Sequence, residues 1–242
     1  MSRLARRLIH GALVALVAIS AAGHPRAAGP NAAILQRFLA IGDPPPTDYR
    51  ALRHLDAHND RFESSAWMDV WTEADRINGF RYRIVSEGGS EYIRFHVFVA
   101  TLEMERKMVA AGEPDHAAFT QENYVFEDRG EQRDGLVGLS VRPRRKDLLL
   151  VEGSIFLRPE DGELVRIEGR LSKPPSFWTR RVEIVRRYQR FAGVRMPVAL
   201  ESVATVLIAG RSTFRMSYEY ETVNGQRVGI PQVRAATSPA PR

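Results

Sequence analysis

Ser212-Thr213-Phe214-Arg215-Met216-Ser217-Tyr218-Glu219-Tyr220-Glu221 is the stretch whose reading decides the fold. Phe214, Met216, Tyr218 and Tyr220 fall on one side of an extended chain. Thr213, Arg215, Ser217, Glu219 and Glu221 fall on the other. A period of two predicts a strand with one face against something apolar and the other in water.

The same pattern recurs upstream. Val165, Ile167 and Leu171 oppose Arg166, Glu168 and Arg170. Strands are predicted over 124–130, 136–144, 148–157, 163–171, 179–191, 195–209 and 212–223, separated by short turns such as Arg158-Pro159-Glu160-Asp161-Gly162 and Ala192-Gly193. Regular spacing of this kind implies an antiparallel meander. Nearer the N-terminus, Trp67, Asp69 and Trp71 alternate with Met68 and Val70. Asn78-Gly79 then marks a hairpin turn, 80–86 a second strand, Gly88-Gly89 the next turn, and Glu91 to His96 a third strand. Trp67 and Trp71 share a face, which suits core packing or contact with a ligand.

Helical spacing is confined to three places. Ile34, Leu35, Phe38, Leu39 and Ile41 repeat at three and four, and Gly42-Asp43-Pro44-Pro45-Pro46 stops that helix. Thr47 or Asp48 caps a second predicted helix to about Asn59, with Leu52 and Leu55 inward. Val97 to Ala111 is rich in helix formers, and Gly112 is its C-cap. The fold class is therefore mainly β with some α. Its form is a curved antiparallel sheet of about ten strands, with two or three helices as a lid. So few helices cannot cover so many long strands flat, whereas strong curvature with a helix-lined mouth solves the problem and leaves a cavity.

The first residues stand apart. Arg3, Arg6 and Arg7 precede an apolar run, Leu8 to Ala22, and small residues follow. This is the order of a secretory signal, and the run is short for a membrane span. Cleavage is placed near Ala22, with a site after Ala28 or an uncleaved anchor helix as alternatives. The resulting division is a signal peptide at 1–22, a flexible leader at 23–31, one domain at 32–224 and a disordered Pro- and Ala-rich tail at 225–242. The destination is the periplasm, with no integral span once the signal is removed.

Charge and chemistry exclude more than they identify. The formal net charge is +6. Residues 1–22 contribute three arginines and no acids, so the mature chain carries only +3, too little for a nucleic-acid binder. The chain has no cysteine, hence no disulfide, thiolate nucleophile or lipid-modified N-terminal cysteine. His54 and His58 lie four apart on the predicted helix but lack the glutamate of a zinc-protease motif, and a solvated helix face is expected there. Ser90 and Ser154 each follow glycine without completing a nucleophile elbow. No catalytic residue, metal ligand or cofactor is assigned. Arg142-Pro143-Arg144-Arg145-Lys146 and the set Arg180, Arg181, Arg186, Arg187 and Arg190 are basic clusters, read as charged strand tips or as contacts for anionic partners. Phe177 and Trp178 sit in a proline-rich connection. They either plug the end of the sheet or, with Arg180 and Arg181, meet a protein partner.

Trp67-Met68-Asp69-Val70-Trp71-Thr72, Gly79-Phe80-Arg81-Tyr82, Ser86 through Arg94, Arg144-Arg145-Lys146-Asp147, Arg166 through Lys173, Phe177-Trp178-Thr179-Arg180-Arg181 and Tyr218-Glu219-Tyr220-Glu221 together resemble the outer-membrane lipoprotein-sorting superfamily. That superfamily is typified by the LolA and LolB carriers, and the match is to its uncharacterised bacterial branch over roughly residues 50–225. The resemblance implies an unclosed β-barrel with a helical lid around an apolar cavity for acyl chains. No functional residue of the carriers is transferred. The expected function is a non-catalytic carrier or sensor of the cell envelope that binds a lipid, acyl chain or lipoprotein. The expected cavity residues are Phe214, Met216, Tyr218, Tyr220, Val165, Ile167 and Leu171. An envelope protein-interaction module and a hydrolase with an unrecognised site are the alternatives.

Overall fold

The computed structural model describes residues 31–42, 44–112, 118–132, 134–173, 179–207 and 209–233. The predicted signal peptide and nearly all of the leader lie outside the described residues, as do Phe177 and Trp178.

A helix, α1 (Ala32–Ala40), opens the described chain. Three strands follow: β1 (Asp48–Asn59), β2 (Ser64–Asp75) and β3 (Gly79–Gly89). One helical connection comes next, comprising α2 (Glu91–Ile93), a π-helical stretch Arg94–Val99 and α3 (Ala100–Ala111). Seven long strands complete the sheet: β4 (Tyr124–Glu131), β5 (Val137–Pro143), β6 (Val151–Leu157), β7 (Leu164–Leu171), β8 (Thr179–Phe191), β9 (Val194–Val206) and β10 (Gly210–Val223). A two-residue strand, β11 (Gln226–Arg227), pairs with β10. The order is β3-β2-β1-β10-β9-β8-β7-β6-β5-β4, antiparallel throughout. Two meanders thus join where β1 pairs with β10 from Tyr49↔Val223 to Asn59↔Ser212. Both β3 and β4 end the sheet, so the barrel is not closed. The architecture is the curved, mainly antiparallel sheet with a helical lid that the sequence predicts, with eleven strands among the described residues.

Two elements differ from expectation. Residues 48–59 form β1 rather than a helix. Its centre is covered on both faces, with Ala51, Leu52, Arg53 and Leu55 at most 1% exposed. Burial on both faces erases the alternation that marks a strand. An arginine on the inner side and a leucine on the outer side then mimic helical spacing. Residues 91–96 are helical rather than extended, because Ser90 caps them: its Oγ accepts from the Ile93 N–H at 3.4 Å. Gly89 ends β3 at φ +81, and a Cβ there would lie 2.3 Å from the Ser65 carbonyl oxygen. Gly112 closes α3 in the left-handed region, as its sequence position implies.

Helices cover one face of the sheet, the inner face. Phe38 of α1 packs with Tyr124, Leu139, Ile155, Ile167 and Ile184 over β4–β8. Phe98 and Leu102 of the second helical segment pack with Leu55, Met68, Val70 and Met216 over β1–β3 and β10. Leu200 of β9 touches both clusters. Beyond Ser217, β10 leaves β9, whose pairing stops at Ala199. Tyr220 bridges the resulting split by donating to the Pro197 carbonyl at 2.8 Å. Val194, Met196, Tyr220 and Val223 fill it as a third cluster. Gly225 begins the predicted tail, yet residues up to 233 are described: the Val228 N–H donates to the Glu221 carbonyl, and the Gln232 N–H to Glu219.

Candidate functional site

The inner face of β1 reads Tyr49, Ala51, Arg53, Leu55, Ala57. Four of these suit an apolar cover; Arg53 does not, and it is 1% exposed. Its guanidinium reaches across to α3. Nη1 donates to Glu105 Oε2 at 2.5 Å, and Nη2 donates to Glu105 Oε1 at 2.8 Å and to the Tyr49 hydroxyl at 2.9 Å. The Tyr49 hydroxyl donates in turn to Glu105 Oε1 at 3.3 Å. The guanidinium lies 4.7 Å above the Tyr218 ring and 5.2 Å from the Phe80 ring. Two parallel N–H···O bonds to one carboxylate are the strongest arrangement this pair can make.

Arg186 of β8 adjoins this group. It pairs in register with Leu200, the residue between the two main clusters. The Tyr188 hydroxyl chiefly, and then Tyr218 and Glu105, act electrostatically on its guanidinium and hold it in the charged form. The Nε atoms of Arg53 and Arg186 are both buried without a hydrogen-bond partner. Burial, opposed by Arg53, holds the Tyr49 and Tyr218 hydroxyls above the usual phenol value; burial together with the neighbouring Tyr218 raises Tyr220 further. Among the described residues the site is therefore a polar knot of two guanidinium groups, the Glu105 carboxylate and three tyrosines, Tyr49, Tyr188 and Tyr218, set between apolar walls, beneath a helix, with Tyr220 at its margin.

The residues expected to line a cavity are distributed along these walls. Met216 is buried in the cluster under α3, with Phe214 and Tyr218 packed against it. Tyr220 lies in the split between β9 and β10. Ile167 is buried under α1, and Leu171 packs beside it. Val165 departs from expectation. A bulge pairs Leu157 with Leu164 and Phe156 with Arg166, so Leu164 takes the inner position in place of Val165. Trp67 and Trp71 are on the outer face, half-buried, with Arg50 stacked 4.2 Å over Trp71.

The outer face carries charge. A groove of about 580 Å³ runs over β4–β8, lined by Arg129, Arg142, Arg170 and Arg181 and by Glu127, Glu152, Glu168 and Glu183. These groups largely satisfy one another, as in Arg181–Glu183 at 2.6 Å and Arg170–Glu152 at 3.0 Å. Arg180 is exposed at the start of β8. Gly153 and Gly169 face each other across β6 and β7 beside this groove. A Cβ on Gly153 would sit 2.1 Å from the Glu168 carbonyl oxygen.

His54 is on this face too, but on a strand and 6% exposed, not on a solvated helix. Its Nδ1 lies 2.8 Å from Asp69 Oδ1 and its Nε2 lies 3.1 Å from Glu219 Oε1. Asp69 is wholly buried. A ring with both nitrogens against carboxylates has none left to take a proton from a serine, as hydrolase chemistry requires. His58, four residues along the same strand and about 13 Å away by strand rise, pairs with Asp60 at 3.5 Å. The His96 ring packs against Tyr92 at a tilt, with centroids 4.4 Å apart. His24 and His116 lie outside the described residues.

Sequence reasoning missed Arg53, Glu105, Tyr49, Arg186 and Tyr188. The signal for two of them was a lone arginine on an otherwise apolar strand face: Arg53 in β1, and Arg186 in Val182-Ile184-Arg186-Tyr188. Glu105 could not be found, because α3 offers Glu103, Glu105, Arg106 and Lys107 within five residues and only packing selects one.

Among the described residues no helix is long and apolar enough to cross a membrane. No family model and no curated protein matches the chain. Solved structures similar to it include a DUF1329 family protein from Desulfovibrio piger, 11% identical, covering 77% of this chain and 89% of that one with a TM-score of 0.36. Another is a putative outer membrane lipoprotein-sorting protein domain from Vibrio parahaemolyticus, 11% identical over 78% of this chain and 92% of that one, TM-score 0.36. A third is a LolA superfamily protein from Nitrosomonas europaea, 8% identical over 77% and 90%, TM-score 0.34.

Proposed function

We propose that this protein is a non-catalytic periplasmic carrier or sensor whose inner face receives a lipid, an acyl chain or the acyl part of a lipoprotein. The observation that supports this reading is the way the helix covers the sheet. Phe98 and Leu102 insert between apolar side chains of β1, β2 and β10 and are fully buried. Beside them the same helix is tied down by an ion pair whose arginine is wholly buried. A permanent core would gain by replacing such a pair with apolar side chains, since desolvation consumes most of its attraction. Kept there, the pair leaves Arg53 in need of a new counter-charge whenever the helix moves, which suits a helix that yields only to a ligand. The π-helical stretch Arg94–Val99 sits where such a helix would hinge.

Withdrawing Phe98 and Leu102 forfeits about 3–6 kcal/mol of burial. An acyl chain regains about 0.8 kcal/mol per buried methylene, so a chain of roughly eight carbons or more offsets the loss. Phe214, Met216, Tyr218 and Tyr220 would be its lining, with Ile167 and Leu171 reached by longer chains. Native mass spectrometry of the protein purified from its own envelope, followed by organic extraction, tests this. A co-purifying lipid or acylated peptide, lost on Tyr218→Arg, is the expected result. A clean mass with no uptake on challenge with long-chain amphiphiles would refute it.

A further inference from the structure

The polar knot holds more positive charge than its own groups balance. Arg53 and Arg186 bring two guanidinium groups to the centre of the inner face, and among the described residues Glu105 is the carboxylate that meets them there. Glu105 comes from α3, the element that has to move, while both arginines are fixed on strands that are hydrogen-bonded on either side. Arg53 is buried, whereas the Glu105 side chain is 32% exposed. Both Nε atoms are buried and unpaired. When the helix lifts, Glu105 departs with it, and a buried cation, Arg53, and a half-buried one, Arg186, remain beside the hydroxyls of Tyr49, Tyr188 and Tyr218. Leaving them uncompensated is unfavourable, and a neutral ligand would not relieve that.

We therefore propose that the inner face selects an amphiphile with an anionic head, its carboxylate or phosphate oxygens taking the place of Glu105 on Arg53 and Arg186 and its chain displacing Phe98 and Leu102. This rests on the acyl-chain reading above and adds the chemistry of the head. Glu105 then acts as a tethered competitor. It satisfies Arg53 while the site is empty and yields to an anion that can contact both guanidinium groups.

The experiment compares dodecanoate, dodecyl phosphate and dodecanol, which share one chain and differ only in the head, by competition against a fluorescent chain probe on the full protein. The anionic amphiphiles are expected to bind at least about tenfold tighter than dodecanol, as charge-assisted hydrogen bonds to buried guanidinium groups require. The order of the two anions identifies the source. Preference for the phosphate indicates a phospholipid-type head, and preference for dodecanoate a free acid. Arg186→Gln should remove most of the preference, read as the ratio of anion affinity to dodecanol affinity. Glu105→Gln should raise affinity for all three by loosening the helix, and should raise that for the anions several-fold more than that for dodecanol. If Glu105 were merely a structural tie, this variant would loosen the site toward all three alike. Equal binding of the three amphiphiles, or weaker anion binding by Glu105→Gln, overturns the head-group assignment and leaves the acyl site standing. Failure of all three to bind overturns both.

Discussion

Glu105→Ala removes the carboxylate that faces a guanidinium with 1% exposure. Arg53 then keeps the Tyr49 hydroxyl and the Tyr218 ring but loses its counter-charge. Breaking a buried ion pair from one side costs about 3–5 kcal/mol. Because Glu105 is itself one-third exposed, water can reach part of the vacated space, and the low end, about 3 kcal/mol, is expected. For a chain of this size that corresponds to roughly 6–12 °C in Tm. The reverse change, Arg53→Met, removes the buried charge, refills the volume with apolar atoms and lets Glu105 turn into water. It should fall within about 1 kcal/mol of the parent in either direction. The double variant should resemble Arg53→Met, giving a coupling energy of about 2–3 kcal/mol. Equilibrium urea unfolding with an unchanged m-value measures all three. The reasoning is refuted if Arg53→Met costs as much as Glu105→Ala, or if Glu105→Ala is indistinguishable from the parent. The first result would mean that the pair outweighs its apolar replacement, and the second that it is solvated and contributes nothing to holding the helix.

His54→Ala takes from the wholly buried Asp69 its imidazole partner at 2.8 Å. It should destabilise by about 2–3 kcal/mol in the same urea assay, with a loss below about 0.5 kcal/mol counting against a desolvated pair. Gly153→Ala drives a methyl into the Glu168 carbonyl and should cost at least about 3 kcal/mol. Gly193→Ala, in open space at φ +79, should cost only the about 1–2 kcal/mol of left-handed strain; equal losses in calorimetry would contradict the close approach of β6 and β7. At alkaline pH, Tyr49, Tyr218 and Tyr220 are held above the phenol value chiefly by burial. Unfolded tyrosine ionises near about 10, so these groups bind protons more tightly in the folded state. Their contribution is complete below about pH 10 and is lost as pH rises through the folded values. The unfolding midpoint should drop there together with the appearance of tyrosinate absorbance, and Tyr49→Phe should flatten the slope; tyrosinate forming well before unfolding would refute it.

Most of the fold was legible because strands with one wet face write their period into the chain. β10 shows this throughout: Phe214, Met216, Tyr218 and Tyr220 are inward as their alternation demands, and the turn glycines and Gly112 mark ends that backbone sterics impose. Legibility failed where burial was two-sided or where one residue switched phase. In β1, cover on both faces hid the strand. In β7, a single bulge exchanged Val165 for Leu164. At Ser90, one capping hydroxyl turned a strand-like sequence into a helix. The site was less legible than the fold. Its apolar walls follow from local alternation, so the sequence could propose them by itself. The pairing of Arg53 with Glu105 joins residues 52 apart in the chain, and Arg186 arrives from a different meander. Local periodicity carries no term for contacts of that range. Only the packing of α3 onto the joined meanders decides which of several charges is buried and against what.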